Sequence, residues 1–468
     1  NKENQVRTIQ SLKNAPFEKI TAQHHVHFTA EEAVKAVGVS IVDKSLPMTM
    51  YEGASSVAIA GTIVWYHSLN AWEKRMVKQC GLFKSKSHSQ FVKTAKIISV
   101  LCKSYQNLCR EDLRRLFEMD VLVNRVDGLI DWSQEKINRT TPQLANIPEH
   151  TIYQEAVKMF IEAKVRGRAP VKASWDQYWA NRWQWSAAGS VHSQYIEDME
   201  YVSNKRELKN KFIMISTMPQ CTQDYFTARK PSIHAWSSYK YEWGKLRAIY
   251  GTDTTSYILA HHAFSNCENV LPAFFPVGKD ANDQNVSSRV SAILQNRMPL
   301  CIDFEDFNSQ HSETSMATVI QAYLDVFWDN LHEDQRQSMA WTKASIYNTY
   351  IHDNVGTKTQ YRSRGTLLSG WRLTTFMNSV LNYIYTKTIA EDTFPYRNTL
   401  HNGDDVILGV SNLVTAQRCS RSAEKYNVRL QRTKCAFAGI AEFLRVDHVR
   451  GSKGQYLSRA CATLVHSR

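Results

Sequence analysis

From Thr29 to about Lys164 the apolar residues return at helical spacing, so this third of the chain is expected to be mostly helical. The segment FTAEEAVKAVG carries a helix start signal, with Thr29 as N-cap and Glu32 three residues on. Residues 1–25 are polar and read as a loose lead-in. Trp175, Trp179 and Trp183 recur every fourth residue, which puts three indoles on one helix face. The ordinary reading is a packed aromatic face. The sharper one is a surface on which bases stack beside Lys164, Arg166, Arg168 and Lys172.

Beyond residue 299 the pattern turns mixed α/β. PLCIDFEDF reads as a buried strand. Met316, Val319, Ile320, Tyr323, Leu324 and Phe327 then follow the 3.6-residue period of a helix. A second helix is expected from about Trp371 to Ala390, with Leu373, Phe376, Met377, Val380, Leu381 and Ile384 on one stripe. TLHNGDDVILGV reads as two short strands, with Asn402-Gly403 as the turn signal. A helix from Ser411 to Tyr426 and strands at VRLQ and EFLRV complete a β-α-β-β-α-β order. That order predicts a ferredoxin-like antiparallel sheet backed by helices, an α/β (α+β) class.

Composition narrows the partners. Lys plus Arg number 57 against 44 Asp plus Glu, a net charge of +13 in 468 residues. A protein that basic commonly meets a polyanion. Residues 201–250 hold nine Lys/Arg and three acids, so nearly half the excess lies in one segment. With 43% hydrophobic residues, global disorder is excluded. Nine Cys without a CxxC pair argue against a disulfide framework or a zinc site, and for a reducing compartment. His24, His25 and His27 lack an acid or Cys partner at ligand spacing and are not taken as a metal site. The apolar run Val57–Tyr66 is about half the ~20 residues a spanning helix needs, so no membrane partner is expected. The chain starts Asn-Lys-Glu without Met and reads as part of something longer.

Three features carry candidate chemistry. Asp303 ends a buried strand, and Asp404 and Asp405 sit at a hairpin tip. Carboxylates at strand ends are hard oxygen ligands with room for phosphate, as two Mg²⁺ ions require. Any polar turn can carry Asn-Gly-Asp-Asp, so the pair alone is weak. SGWRLTTFMN sets Ser369 and Gly370 before a helix on which Thr374, Asn378 and Asn382 form a polar strip beside the apolar stripe. Such a strip is either solvated or holds something polar. Gly370 is expected to let the preceding loop flex. KYEWGKLRAIYG places Lys240, Lys245 and Arg247 about a turn at Gly244. A lone basic run is usually a solvated face; here it is a candidate grip for a triphosphate, Arg by its fork and Lys as a point charge.

The order basic stretch, Asp strand, Ser-Gly helix, Gly-Asp-Asp hairpin resembles the right-handed RNA-dependent RNA polymerases of RNA viruses. K-x-E-x-G-K-x-R is similar to their motif F, DFEDFN to motif A, SG-x3-T-x3-N to motif B and GDD to motif C. The wording DFEDFNSQHS, LLSGWRLTTFMNSVLN and HNGDDV resembles the totiviruses, double-stranded RNA viruses of fungi and protozoa. The resemblance covers roughly residues 186–468. It implies a right-hand architecture: residues 1–165 an N-terminal helical region or part of the fingers, 166–300 fingers with basic template and nucleotide segments, 301–446 a palm with a fingers insertion at 325–360, and 447–468 the start of a largely absent thumb.

The resemblance also implies roles. Asp303 and Asp404 would bind two Mg²⁺, with Mn²⁺ as a substitute, and Asp405 would assist. Asn308 stands where many single-stranded RNA virus relatives have an Asp that senses the ribose, a departure that still leaves a hydrogen-bonding group for a 2′-OH. Ser369, Gly370, Thr374 and Asn378 match residues that help hold ribose and template. Lys434 matches a motif D Lys that protonates departing pyrophosphate. EFLRV resembles the motif E primer grip, and SAAGS, with Gly189 and Ser190, loosely resembles motif G on the template path. The implied activity is RNA-directed RNA synthesis from ribonucleoside triphosphates for viral replication and transcription. The implied partners are template and product RNA and a capsid protein, to which such polymerases are often fused. The implied location is inside the virion in the host cytoplasm.

Two rivals remain. A reverse transcriptase would share the acids but typically places an aromatic where Asn308 stands. A non-catalytic RNA-binding or capsid-anchoring relative is disfavoured by intact acids at 303, 404 and 405.

Overall fold

The structure, a computed structural model, describes residues 26–38, 50–126, 128–449 and 454–467. His24, His25 and the polar lead-in 1–25 lie outside the described residues. Contacts divide the chain into two compact units: Asn1–Ile130 with Tyr239–Arg247 and Ala436–Arg468, and Asp131–Ser238 with Ala248–Cys435. The fold is mixed α/β.

The first unit is helical at its core. The Thr29 cap forms: its hydroxyl accepts from the Glu32 amide at 3.1 Å, and the Glu32 carboxylate accepts from the Thr29 amide at 2.8 Å. The helix Ser56–His67 is buried on nearly all sides, as its unbroken apolar composition demands. A Cβ at Gly61 would meet Val465 at 3.2 Å, so glycine allows the C-terminal helix Leu457–Val465 to lie close against it. The segment expected to begin a thumb thus packs, through Cys461 and Val465, into the N-terminal helical core. EFLRV is not one strand. Glu442–Phe443 and Val446–Asp447 pair with each other, because Leu444 and Arg445 both adopt positive φ and turn the chain back.

In the second unit α1 is Glu149–Val165, β1 Ile233–Glu242, β2 Lys245–Thr252, β3 Met298–Ile302, α2 Glu313–Phe327, β4 Thr349–Asp353, β5 Thr359–Ser363, α3 Thr374–Ala390, β6 Thr399–Asn402, β7 Asp405–Val410 and α4 Val414–Lys425. The tip of the β1–β2 hairpin, residues 239–247, groups with the first unit. One sheet runs β2-β1-β4-β5, with β1 and β4 parallel. The other contains β6-β7-β3, all antiparallel. VRLQ, expected as a strand, makes a single bridge from Leu430 to Phe304.

Helix α3 is buried along almost its whole length. Phe376 packs with Phe160 of α1 and Tyr323 of α2, Tyr323 standing edge-on to both rings at 5.7 and 5.3 Å. Each such aromatic pair adds about 0.5–1.5 kcal/mol beyond its area burial. The three helices therefore fix α3 as a rigid post beside β6 and β7. Elsewhere in this unit Trp175 and Trp179 stack at 5.6 Å inside a core. Their helix ends at Ala180, so Trp183 leaves that face and is 58% exposed. Packing, not a three-indole stacking surface, explains the repeat. Among the described residues no disulfide joins the cysteines, and no helix is long and apolar enough to cross a membrane.

Candidate active site

Asp303 is the first residue past β3 and is half-buried. Its backbone is clamped on the far side from β7. Its carbonyl accepts from the Gln431 amide at 2.8 Å, and its amide meets Cys435 Sγ at 3.4 Å. Burial raises the Cys435 thiol and outweighs the hydrogen bond from the Asp303 amide, so that sulfur stays protonated. Lys434 is exposed on the short turn Arg432–Lys434 between these two contacts. The structure thus brings the Lys434 segment beside the Asp303 backbone.

Asn402 pairs with Asp405, so the two-residue loop is Gly403-Asp404 and not the Asn402-Gly403 expected. Gly403 has φ +61 and Asp404 is not left-handed, as a turn needing positive φ only at its first central residue requires. Asp404 is exposed at the tip, while Asp405 is half-buried as the first residue of β7. Ile302 lies opposite Val406. Continuing that register by one residue puts Asp303 opposite Asp405, with Asp404 just beyond. The three acids share one end of one sheet. Among the described residues no group of three or more His, Cys, Asp or Glu side chains is arranged to hold a metal ion alone. Any ion here needs oxygens from substrate or water, which the exposure of Asp404 allows.

The polar strip on α3 holds this end of the sheet together. Asn382 donates to the carbonyls of Gly403 and Asp405, both at 3.1 Å, and accepts from His401 Nδ1 at 2.8 Å. Ser379 Oγ accepts from the Gly403 amide at 2.8 Å. One turn earlier, Asn378 donates to Asn308 Oδ1 at 2.7 Å and pairs through its own oxygen with His311 Nε2 at 2.8 Å. His311 Nδ1 meets the Tyr385 hydroxyl at 3.0 Å. Burial pulls the His311 imidazole down to about 4, so it is neutral near pH 7. His311 and Tyr385 were missed from the sequence. The signal was present: Tyr385 lies seven residues after Asn378, on the same helix face.

Thr374 spends its hydroxyl on the loop carbonyls of Leu368 and Trp371, at 2.8 and 2.7 Å. Ser369 and Gly370 are exposed in that loop. Gly370 is not there for flexibility. It bridges to Gly251, and a Cβ would stand 2.2 Å from the Tyr250 carbonyl, so close backbone approach is what demands glycine. Gly189 and Ser190 are exposed, and the Gly189 carbonyl accepts from the Lys211 amide at 3.0 Å. Among the described residues no hydrogen bond ties these two to the acids.

Lys240, Lys245 and Arg247 are all exposed and belong to the first unit. Gly244 makes their turn at φ +71, where a Cβ would come within 3.1 Å of the Asp120 carbonyl. Glu242 organises the group: Lys240 Nζ and Arg247 Nε each lie 2.9 Å from its carboxylate. Burial works to raise the Glu242 carboxyl, but Lys240, Arg247 and Lys245 outweigh it and hold it below the usual carboxylate value. Arg125 stacks on Trp243 at 4.9 Å and donates to the Tyr241 carbonyl at 2.9 Å, which stiffens the tip.

The family described as viral RNA-directed RNA-polymerase matches residues 10–468. The probable RNA-directed RNA polymerase of Saccharomyces cerevisiae virus L-A is 40% identical over 465 residues, covering 96% of this chain and 31% of the relative. That of Saccharomyces cerevisiae virus L-BC is 36% identical over 96% of this chain and 30% of its own length. That of Helminthosporium victoriae virus-190S is 28% identical over 74% of this chain and 41% of its own. The chain therefore spans about a third of the length of the two nearer of these curated relatives. A solved polymerase of a human picorbirnavirus overlaps 66% of this chain at 12% identity and a TM-score of 0.43, too loose to bear on the argument.

Proposed function

The chain belongs to the viral RNA-directed RNA polymerase family, and from that premise we propose that it copies RNA by adding ribonucleoside triphosphates to a growing RNA strand. The observation that carries this reading is the α3 post. One helix holds Asn308, just past the Asp303 strand, and the hairpin bearing Asp404 and Asp405. In the right-hand architecture this sheet and α3 are the palm.

Asp303 and Asp404, with Asp405 assisting, fit two Mg²⁺ ions or Mn²⁺ by donor chemistry: hard oxygens at an open sheet end. When bound, such ions lower the pKa of the attacking 3′-OH and neutralise charge on the leaving pyrophosphate. The chain's own residues do the rest. Lys240, Lys245 and Arg247 take the triphosphate, with Arg247 held by Glu242. Asn308 and Asn378 meet the ribose. Thr374 keeps the Ser369-Gly370 loop in shape against the nucleotide and template. Lys434 gives its proton to pyrophosphate. Gly189 and Ser190 line the template path. Base pairing supplies sequence choice. The same reading puts the reaction inside a virion in the host cytoplasm, alongside capsid protein.

The test is nucleotide incorporation on an RNA template with Mg²⁺ and with Mn²⁺. Template-dependent addition of ribonucleotides supports the reading; a chain that binds RNA and adds nothing under either ion refutes it.

A further inference from the structure

Asn308 has two faces, a carbonyl oxygen and an amide nitrogen, and a nucleotide meets only one of them. We propose that Tyr385 and His311 are positioning residues that fix which one, so that Asn308 offers N–H to the 2′ substituent. This rests on the polymerase reading of Asn308 and goes beyond it by assigning the polarity of the contact.

The argument starts at the buried end. Tyr385 is fully buried, and among the described residues its hydroxyl has one polar partner, His311 Nδ1. If the hydroxyl only accepted there, its own O–H would be left unpaired in the core, which is costly. Tyr385 therefore donates. Nδ1 then accepts, and a neutral imidazole must carry its proton on Nε2. Burial keeps that imidazole neutral. Nε2–H donates to Asn378 Oδ1, which turns the Asn378 amide nitrogen to Asn308 Oδ1. With its oxygen so engaged, Asn308 presents its nitrogen, which has no protein partner among the described residues. The chain of four groups has one direction, set by a phenol in the core.

An N–H donor asks for an acceptor at the 2′ position. A ribose hydroxyl accepts, a 2′-hydrogen does not, and a 2′-fluorine accepts weakly but cannot donate. A carbonyl facing the sugar would instead be repelled by fluorine.

The test compares kcat/KM for ribo-, 2′-deoxy- and 2′-deoxy-2′-fluoro-nucleotides of the same base. The expected order for the unaltered chain is hydroxyl, then fluorine, then hydrogen. Fluorine also favours a ribose-like pucker, so the preference is measured again in Tyr385→Phe, where pucker effects are unchanged. There the fluoro-over-deoxy ratio is expected to shrink on the order of 3-fold or more, the worth of about one net hydrogen bond, while deoxynucleotide addition stays near its original rate. His311→Gln, whose amide nitrogen stands near the place of Nε2, should keep the ratio that His311→Leu loses. A fluoro substrate no better than deoxy in the unaltered chain overturns the proposal. So does an equal fall for all three substrates in Tyr385→Phe and His311→Leu, which marks a merely structural role. No ribonucleotide addition by the unaltered chain would instead refute the polymerase reading itself.

Discussion

The side-chain amide of Asn382 donates to the carbonyl of Asp405 at 3.1 Å, from the polar strip of a buried helix. The same amide reaches Gly403, and its oxygen accepts a hydrogen bond from His401 Nδ1. One side chain thus satisfies the backbone on both sides of Asp404. Asn382→Ala removes a donor from two carbonyls and an acceptor from His401 Nδ1 and the Thr386 hydroxyl. The expected loss is about 2–4 kcal/mol of unfolding free energy, given ~1–3 kcal/mol per buried polar group left unpaired. Denaturant unfolding measures it. Activity is expected to fall further than stability explains, since the hairpin tip loses its register. A variant with unchanged midpoint and turnover would show that α3 does not position the acids.

Asp303 is held by its backbone, through Gln431 and Cys435. Replacing its side chain leaves that clamp intact, so Asp303→Ala is expected to fold. Asp303→Ala and Asp404→Ala are both expected to abolish nucleotide addition while RNA binding survives. Metal ligands act on the transition state, whereas RNA affinity comes mainly from phosphate contacts. Asp405→Asn should be milder, because an amide oxygen keeps a secondary ligand role. Single-turnover incorporation alongside filter binding checks all three; near-normal turnover in either alanine variant would remove the two-metal assignment.

The helices and β3, β6 and β7 were legible because each carries its own period or turn signal. Thr374, Asn378 and Asn382 stood out as a polar strip, and the strip does hold something polar, the hairpin and Asn308. What the sequence could not show was long-range. The one-residue shift of the turn to Gly403-Asp404 depends on pairing across the sheet, not on dipeptide preference. Gly370 looked like a hinge because close approach to Tyr250 is invisible from 120 residues away. His311 carried no signal of its own, since its partners sit on a helix about 70 positions on. VRLQ makes a single bridge, from Leu430 to Phe304, because β3 has already ended at Ile302.

His311 and His401 are both fully buried, and burial pulls them down to about 4 and about 3. An unfolded His titrates near ~6.5. Below that pH the unfolded chain takes up protons that the native chain refuses, so stability is full above it and falls as pH drops toward the folded values. At pH 5 each site is expected to cost about 2 kcal/mol. Urea midpoints measured from pH 7 to pH 5 should decline steeply. His401→Gln should flatten the slope by one proton's worth, ~1.4 kcal/mol per pH unit. A midpoint indifferent to pH over this range would mean these imidazoles are not buried neutral.

Arg247 is tied to Glu242 through Nε, and among the described residues its two Nη nitrogens have no partner. A guanidinium anchored at one nitrogen with two N–H edges open is set to take phosphate oxygens bidentately. If it takes the nucleotide triphosphate, Arg247→Ala should raise KM for all four nucleotides about equally, because the guanidinium does not see the base. It should also lower kcat, since charge on the leaving pyrophosphate grows in the transition state. Arg247→Lys should rescue only part, because an ammonium cannot make the forked contact. Glu242→Gln should weaken the same step without removing a positive charge, as Arg247 loses its aim. A solvated basic face predicts otherwise: weaker RNA binding, a shallower salt slope and an unchanged nucleotide KM. Nucleotide KM and the salt dependence of RNA binding, measured on the same three variants, separate the two. If both constants hold in Arg247→Ala and only the salt slope moves, the hairpin tip serves RNA and not the triphosphate.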